Sequence, residues 1–180
     1  MSEKKTWIRF FTIADYEEEE SWLRNQHQKG WKLLRMTPPC FYVFERCQPE
    51  DVVYRLDYKN ATEEGDYMQL FRDYGWEFCG QCAGWLYFRK SVSEMSSEQE
   101  GEIFSDDASK VDMIDHIVKT RMLPLLIIFF ACVIPQFFRA LDRGVSGWLI
   151  FWVAMLGIYL FLFVHCGGKL RRLKIKYKDE

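Results

Sequence analysis

Residues 122–138, MLPLLIIFFACVIPQFF, and residues 144–164, GVSGWLIFWVAMLGIYLFLFV, decide the architecture of the C-terminal part of this chain. Neither run contains an Asp, Glu, Lys or Arg, and the few charges between them are Arg139, Asp142 and Arg143. A helix crosses the hydrocarbon core of a bilayer with roughly 20 apolar residues, within a range of about 17–25. The two runs therefore predict a transmembrane helical hairpin, and make the lipid bilayer an expected partner.

Charges that flank the two runs predict the orientation of the hairpin, with spans at about 122–141 and 144–165. Three basic residues lie before the first run, and six more follow the second run within residues 169–178. The intervening loop carries two arginines, which Asp142 partly offsets. Because Lys and Arg concentrate on the cytoplasmic side, we expect a multi-pass protein of the cell membrane with both termini in the cytoplasm. The N-terminal residues lack the long apolar core of a signal peptide.

The 180 residues carry a net charge of −2, but the charge is unevenly distributed. Residues 1–90 hold 13 Lys/Arg and 15 Asp/Glu, residues 91–120 hold 2 and 8, and residues 121–180 hold 9 and 3. A nearly neutral N-terminal half has no large basic surface for phosphates, so we expect no nucleic-acid partner. The division also predicts a cytosolic head at 1–90, followed by an acidic connector and a basic membrane segment.

The head contains one motif used twice, with a period of about 45 residues. Its clearest marker is a Gly-Trp pair, present as Gly30-Trp31 and as Gly75-Trp76, and this alignment also matches Trp22-Leu23 with Tyr67-Met68. Each copy reads as strand, helix, strand, strand, over residues 7–46 and 52–90. Such repeats are diagnostic of architecture. The sequence therefore predicts an α+β fold: a tandem βαββ repeat forming an antiparallel sheet with helices on one face, followed by the transmembrane hairpin.

Residues 91–110 are rich in Ser and Glu and poor in apolar side chains, so they are predicted to form an acidic flexible linker. From residue 111 the apolar positions recur at helical spacing, which predicts a juxtamembrane helix continuous with the first span, in a segment covering 111–168. Residues 169–180 are predicted to be a basic cytosolic tail.

Cys79-Gly80-Gln81-Cys82 is the motif that most suggests chemistry. A C-x-x-C pair can be a redox centre, but here it follows a strand rather than opening a helix that would stabilise a thiolate. It can also be half of a zinc site, which Cys40 and Cys47 would have to complete at a poor spacing. We favour small buried thiols over both alternatives, and expect neither a metal nor a cofactor.

Other chemically suggestive residues have simpler interpretations. The acidic run Glu17–Glu20 is typical of a solvated helix start, which we favour over paired catalytic carboxylates. The five tryptophans of the head are more typical of core packing than of a stacking platform. The three histidines are scattered, and Gly-rich phosphate loops and nucleophile elbows are absent from the sequence. We therefore expect no catalytic residues and a protein that is not an enzyme.

These residues together resemble a family known as domain of unknown function 2812. The resemblance covers roughly residues 6–90 and is carried by an aromatic first strand, two Gly-Trp pairs, and the segments Phe41–Phe44, Tyr54–Tyr58 and Trp85–Lys90. Many members carry C-terminal membrane helices, and in Gram-positive bacteria their genes often neighbour PadR-like transcriptional regulators. The resemblance implies a regulatory or envelope-response role and supplies no catalytic residues.

Our leading hypothesis is a membrane-anchored, non-enzymatic protein whose cytosolic head binds a protein or a small ligand, with a membrane or regulatory protein as the expected partner. The alternatives are a small accessory subunit of a membrane transport complex, and a thiol or zinc sensor. Small residues in the second run allow close helix approach, so the transmembrane helices could also support oligomers.

Overall fold

The computed structural model describes residues 3–58, 64–103, 107–144 and 147–179. The chain divides into two compact units, Met1–Ser105 and Asp106–Glu180. The first unit is the α+β head, and the second consists of the apolar helices. Each unit is described by itself.

The first unit contains two successive βαββ motifs, as the internal repeat predicts. Its elements are β1 (Lys4–Ile8), α1 (Tyr16–Gln28), β2 (Trp31–Thr37), β3 (Phe41–Arg46), β4 (Val52–Tyr58), α2 (Glu64–Asp73), β5 (Glu77–Cys82) and β6 (Trp85–Ser91). A Gly-Trp pair begins two residues after the end of each helix, and its glycines, Gly30 and Gly75, have φ angles of +83° and +77°. The predicted α+β class and the tandem repeat are confirmed.

Each repeat forms its own three-stranded antiparallel sheet, with strand orders β1-β3-β2 and β4-β6-β5. In both sheets the last strand in sequence is central, because it pairs with both of the others. The register shifts in β2 between Leu33 and Arg35, and in β5 between Phe78 and Gly80. The extra residues of these bulges, Leu34 and Cys79, lie 45 positions apart, so the repeat extends to the irregularities of the strands.

Helix α1 lies between the two sheets. On one side, the Trp22 ring packs against the rings of Tyr42 and Phe44 in the first sheet, with centroids 5.0 and 5.6 Å apart. On the other side, Tyr16 packs against Trp85 of the second sheet at 5.5 Å. One detail therefore differs from the expected arrangement. The strands form two sheets rather than one, and α1 packs against both of them.

Helix α2 covers the opposite face of the second sheet. Phe71 stacks on Phe88 with centroids 4.4 Å apart. These two rings belong to a buried cluster that also contains Val53, Trp76 and Leu86. Since successive side chains of a strand point to opposite faces, the second sheet has α1 on one face and α2 on the other. Strands β4 and β6 are accordingly buried along nearly their whole length.

Residues 91–103, the first part of the predicted flexible linker, pack on the head. They contain two 3₁₀ turns, Val92–Glu94 and Glu98–Gly101. Met95 and Ile103 contact the buried cluster beneath α2. Glu102 forms an ion pair with Arg55 at 2.7 Å. Two apolar side chains of this otherwise acidic segment therefore cover a hydrophobic surface of the head.

The second unit consists of two long helices, Ala108–Asp142 and Gly147–Lys178. The first is built from α3 (Asp107–Ile117), α4 (Leu123–Ile128) and α5 (Ile134–Asp142), and the second from α6 (Gly147–Leu162) and α7 (Gly168–Asp179). At 1.5 Å per residue, the first long helix measures about 52 Å and the second about 48 Å. Each contains a stretch that is long and apolar enough to cross a membrane, and the predicted helical hairpin is confirmed as a feature of the fold.

Short π-helical turns join these segments. The turns Val118–Met122 and Phe129–Val133 each end just before a proline, at Pro124 and Pro135. Proline cannot donate a backbone hydrogen bond, and its ring clashes with the carbonyl four residues earlier. A wider turn relieves that clash while the helix continues. The two prolines are therefore accommodated by wider turns, and the first long helix continues past both of them.

The N-terminal end of the first long helix, α3, packs against the C-terminal end of the second, α7. Their contact surface, the hairpin seam, contains the buried side chains of Met113, Ile114 and Ile117 on α3, and of Cys166, Leu170, Leu173 and Tyr177 on the second helix. Lys174 pairs with Asp115 across the seam, and the Lys110 ammonium lies 4.8 Å from the Tyr177 ring centroid. The predicted basic tail is therefore largely a helix held by the first helix.

The two Gly-Trp turns provide a matched test of the fold. A Cβ atom on Gly30 would lie 2.9 Å from the backbone oxygen of Cys47, whereas one on Gly75 would meet only the flexible end of Lys90, at 3.5 Å. Both substitutions force an L-residue into a positive φ angle. We expect Gly30→Ala to lower the free energy of unfolding by roughly 2–3 kcal/mol and Gly75→Ala by roughly 1 kcal/mol.

Urea unfolding of the full-length protein in detergent, followed by tryptophan fluorescence, measures both effects. Equal losses in the two variants would show that the close approach of Cys47 is not a constraint on the fold.

Candidate functional site

Helix α1 carries polar side chains into the interior between the repeats. Its buried residues are Tyr16, Glu19, Leu23 and His27. Spacings of three and four residues place them on one face of the helix. This face is directed at the second sheet, so the helix of the first repeat supplies polar groups to the interface between the two repeats.

The Glu19 carboxylate joins the two repeats directly. It is 5% exposed, and its Oε1 accepts hydrogen bonds from the hydroxyls of Tyr42 at 2.7 Å and Tyr87 at 2.6 Å. Tyr42 belongs to β3 of the first sheet and Tyr87 to β6 of the second. Burial raises the pKa of Glu19, although the two phenol donors act in the opposite direction.

Glu20 bonds to the edge of the second sheet. Its side chain is 12% exposed. Its Oε1 accepts the backbone N–H of Leu56 at 2.8 Å, and its Oε2 lies 3.3 Å from the Arg55 guanidinium. Burial raises the pKa of Glu20 to about 8, even though the positive charge of Arg55 opposes the shift. Two adjacent carboxyl groups are thus held in an environment that favours their protonated forms.

These positions correct the interpretation of the acidic run as a solvated helix start. Within Glu17–Glu20, Glu18 is exposed, whereas Glu19 is buried and Glu20 nearly so. The run as a whole gives no indication of this difference. The spacing of Tyr16, Glu19, Leu23 and His27 is that of a buried helix face. Because Glu19 and His27 are polar, a search for apolar residues at helical spacing does not detect this face.

His27 is the second buried polar residue of α1. Its Nδ1 lies 2.9 Å from the Tyr54 hydroxyl oxygen, and the backbone N–H of Leu33 approaches the same oxygen at 3.4 Å. Burial, and secondarily the positive charge of Arg89, lower the pKa of His27. Arg89 donates to the Leu33 carbonyl at 3.1 Å and pairs with Glu77. These bonds connect α1 and β2 of the first repeat to β4 and β6 of the second.

The buried polar groups are suited to holding the repeats together. Glu19 and His27 are eight residues apart on α1, which is about 12 Å along the helix axis, so they do not form a base–nucleophile pair. Each is engaged with tyrosine hydroxyls, as Glu20 is with Leu56 and Arg55. Hydrogen-bonded networks of this kind rigidify an interface and specify its geometry.

The structure places Cys79 and Cys82 in strand β5 rather than in a chelating turn. Cys79 is the extra residue of the bulge, and Cys82 ends the strand. Burial raises the pKa of Cys79 to about 12 and also raises that of Cys82. Since the thiolate is the nucleophile, this environment disfavours redox chemistry.

Cys40 and Cys47 lie at opposite ends of β3, just before and just after Phe41–Arg46. Seven residues of extended chain span roughly 23 Å, so these two cysteines cannot bind one ion together. Among the residues that the structure describes, no three His, Cys, Asp or Glu side chains are grouped so as to hold a metal ion. The four candidate cysteines are not brought into one site.

The first sheet presents an apolar face that no element of the described first unit covers. Ile8 and Phe41 lie directly opposite each other on β1 and β3, and are 67% and 39% exposed. Leu34, the extra residue of the β2 bulge, is 37% exposed, and Phe10 beyond the end of β1 is 75% exposed. We call this surface the open face. Both faces of the second sheet, in contrast, are covered by helices.

The open face is also predominantly basic. Lys4 and Lys32 lie on either side of Glu45 across the three strands, and Arg35 lies opposite Val43. Paired residues share a side of the sheet, so these charges border the exposed apolar side chains. An apolar surface bordered by charge of mainly one sign is typical of a protein interaction site.

A shallow depression of about 640 Å³ lies beside the exposed side of α1. The Arg9 guanidinium lies 5.1 Å from the Trp22 ring centroid, and Glu17, Glu18 and Lys29 add charges of both signs. Its open shape and mixed charge favour no particular small ligand. The open face is therefore the stronger candidate for a binding site.

Comparison with known proteins identifies one match. The family described as "Protein of unknown function (DUF2812)" matches residues 15–127, which include most of the head and the beginning of the apolar helices. No curated protein and no solved structure matches the chain.

The raised pKa of Glu20 predicts how stability depends on pH. A glutamate in the unfolded chain loses its proton near pH 4.3, whereas folded Glu20 keeps it up to about pH 8, so unfolding between pH 7 and 8 releases a proton. Raising the pH from 7 to 8 should therefore lower the free energy of unfolding by about 1 kcal/mol. His27 adds little to the pH dependence of stability between pH 7 and 8, because its lowered pKa leaves it largely neutral in that range.

Urea titrations of the full-length protein in detergent at pH 7 and pH 8 measure this difference. Glu20→Gln removes the titrating group and should show a smaller pH dependence. Glu18→Gln alters an exposed carboxylate of the same run and should keep the dependence of the unmodified protein. A Glu20→Gln variant that is as sensitive to pH as the unmodified protein would refute the assignment.

Proposed function

The chain belongs to the DUF2812 family, and we propose that this member is a membrane-anchored, non-enzymatic protein whose head binds a partner protein through the open face. The observation that carries this proposal is the contrast between the two sheets. Strands β4 and β6 of the second sheet are buried on both faces, and Phe78 of its edge strand β5 is 38% exposed, whereas the first sheet exposes Ile8 and Phe41 at directly paired positions beside basic side chains.

Anchoring by the two long helices is supported by their length, composition and exposure. Of the 18 most apolar consecutive residues in each helix, only 17% are buried inside the protein in the first helix and 6% in the second. Phe130, Ile150 and Val164 are more than 60% exposed. Water would make such surfaces costly, whereas lipid chains cover them favourably. The expected topology, with both termini in the cytoplasm, rests on the Lys and Arg residues around the two runs.

The partner that best fits the open face is a protein segment with apolar and acidic side chains. Ile8 and Phe41 provide the apolar contact, while Lys4, Lys32 and Arg35 border it with positive charge. Charge complementarity across such an interface contributes specificity and a faster association rate. The regulatory or envelope-response role that the family resemblance implies would follow from the identity of this partner.

Site-specific photo-crosslinking in native membranes tests the docking surface. A benzoylphenylalanine at position 41 of the full-length protein should form an adduct with another protein, and the crosslinked peptide should contain apolar residues and Asp or Glu. Leu70, on the exposed side of α2, is 50% exposed and provides the control position. We expect at least a fivefold higher yield at position 41. Arg35→Glu should reduce that yield several-fold, because it repels an acidic partner.

Three outcomes would overturn this docking site: equal yields at positions 41 and 70, an unchanged yield in the Arg35→Glu variant, or adducts formed only with a second copy of this chain or with lipid.

Protease protection in sealed cells tests the anchoring and the orientation. An external protease should leave residues 1–120 intact until the membrane is permeabilised, and an alkaline carbonate wash should leave the protein in the membrane. Release by the wash would contradict the anchoring. Digestion of the head before permeabilisation would contradict the orientation alone.

A further inference from the structure

We propose that the second long helix carries a binding site for the phosphate headgroup of an anionic phospholipid. The site is the cationic stripe, defined as His165, Lys169, Arg172 and Lys176. The inference rests on the proposed anchoring of the hairpin in a membrane. It assigns a specific ligand to a segment that would otherwise be only a basic flank.

The stripe lies at the height of a lipid headgroup. The second helix begins at Gly147, and 18 residues separate Gly147 from His165, which is about 27 Å along the axis. This length nearly spans a hydrocarbon core of about 30 Å. His165 is therefore placed at the cytoplasmic edge of the core. Lys169 follows about 6 Å further along the axis, within a headgroup layer about 5–8 Å thick, and Arg172 and Lys176 follow at about 10 and 16 Å. Because helical side chains lean toward the N-terminus, the charged ends of these two residues extend back toward the phosphates.

The four residues of the stripe share one helix face. Their spacings of four, three and four residues are those of side chains stacked along a helix. The stripe precedes the seam residues Cys166, Leu170, Leu173 and Tyr177 by one position each, so it lies beside the seam, rotated by about 100°. The seam packs against α3, and Lys174 pairs there with Asp115. The stripe thus follows the side of the helix next to this contact.

A groove accompanies the stripe. It has a volume of about 620 Å³ and is lined by the four stripe residues together with Val164, Gly168 and Leu173. A Cβ atom on Gly168 would have no heavy atom within 4 Å, so the absence of a side chain there leaves open space among the cations. The groove combines a glycine floor, an apolar wall and several cationic donors, which suit a phosphate attached to a hydrocarbon chain.

Exposed apolar residues lie on the side of the stripe that faces the membrane centre, where they would contact the acyl chains of a lipid. Val164 is 75% exposed and Phe161 is 61% exposed, within one turn of His165. An acyl chain lying along these side chains would place its headgroup beside Lys169 and Arg172. A guanidinium binds phosphate oxygens in a bidentate manner, while an ammonium adds point charge. A free phosphate would use the cations but not the apolar wall, so we assign the site to a lipid.

Native mass spectrometry of the full-length protein in a neutral detergent tests the site. Phosphatidylglycerol should bind at least tenfold more tightly than phosphatidylcholine. A charge-assisted hydrogen bond from a basic side chain to a phosphate oxygen contributes about fivefold or more in affinity, whereas a basic residue that does not touch the phosphate contributes little in a neutral detergent. The triple variant Lys169→Gln, Arg172→Gln, Lys176→Gln should therefore bind phosphatidylglycerol roughly 100-fold more weakly.

The control variant Arg121→Gln, Arg171→Gln, Lys178→Gln removes the same number of charges outside the stripe, and should stay within threefold of the unmodified protein. Circular dichroism of both variants shows whether the helices are retained. The comparison of the two lipids needs only the unmodified chain, so the inference can be refuted even if a variant fails to fold.

Equal affinity for the two lipids would overturn the inference. Equal losses in the two triple variants would also overturn it, because they would show a diffuse charge effect. Displacement of phosphatidylglycerol by 10 mM inorganic phosphate would indicate a site for free anions instead. Release of the protein by an alkaline wash would refute the anchoring itself. A protein that stays in the membrane without preferring the anionic lipid would refute only the lipid site.

Discussion

The head depends on the need to cover both faces of its second sheet. Strands β4 and β6 carry large apolar or aromatic side chains at most positions of both faces, and nearly all of them are buried. One helix can cover one face of a sheet. The second face therefore requires the helix of the other repeat, and α1 meets that requirement by lying between the two sheets. The order sheet, helix, sheet, helix follows from this constraint.

This stacking explains the polar interior and the open face together. Because α1 is enclosed on two sides, its polar residues at Glu19 and His27 must find partners within the protein, and they find tyrosines from the strands. A buried carboxyl without such donors would cost several kcal/mol. The first sheet, at the end of the stack, has only one helix to cover it. The face on the other side is consequently not covered by any element of the first unit that the structure describes.

In the second unit, one pair of helices faces two environments. The seam near the chain termini is a protein contact, with buried apolar side chains and a Lys174–Asp115 pair. The middle of the pair exposes apolar residues on nearly every side, which suits lipid. The cationic stripe lies where these environments meet. A single hairpin thus combines an exposed apolar middle, which we propose as the anchor, with the packed seam and the cationic stripe.

The sequence determined the elements and their repetition, because local signals are strong there: the Gly-Trp turns, the strand–helix alternation and the charge-free runs are all readable within a few residues. It did not reveal that Glu19 and Glu20 are buried, or that residues 91–103 cover the α2 cluster. The open face was equally hidden, since exposed and buried strand faces use similar residues here. These properties depend on which surfaces meet. Only the tertiary structure brings together residues that are far apart in the chain, such as Glu19 and Tyr87.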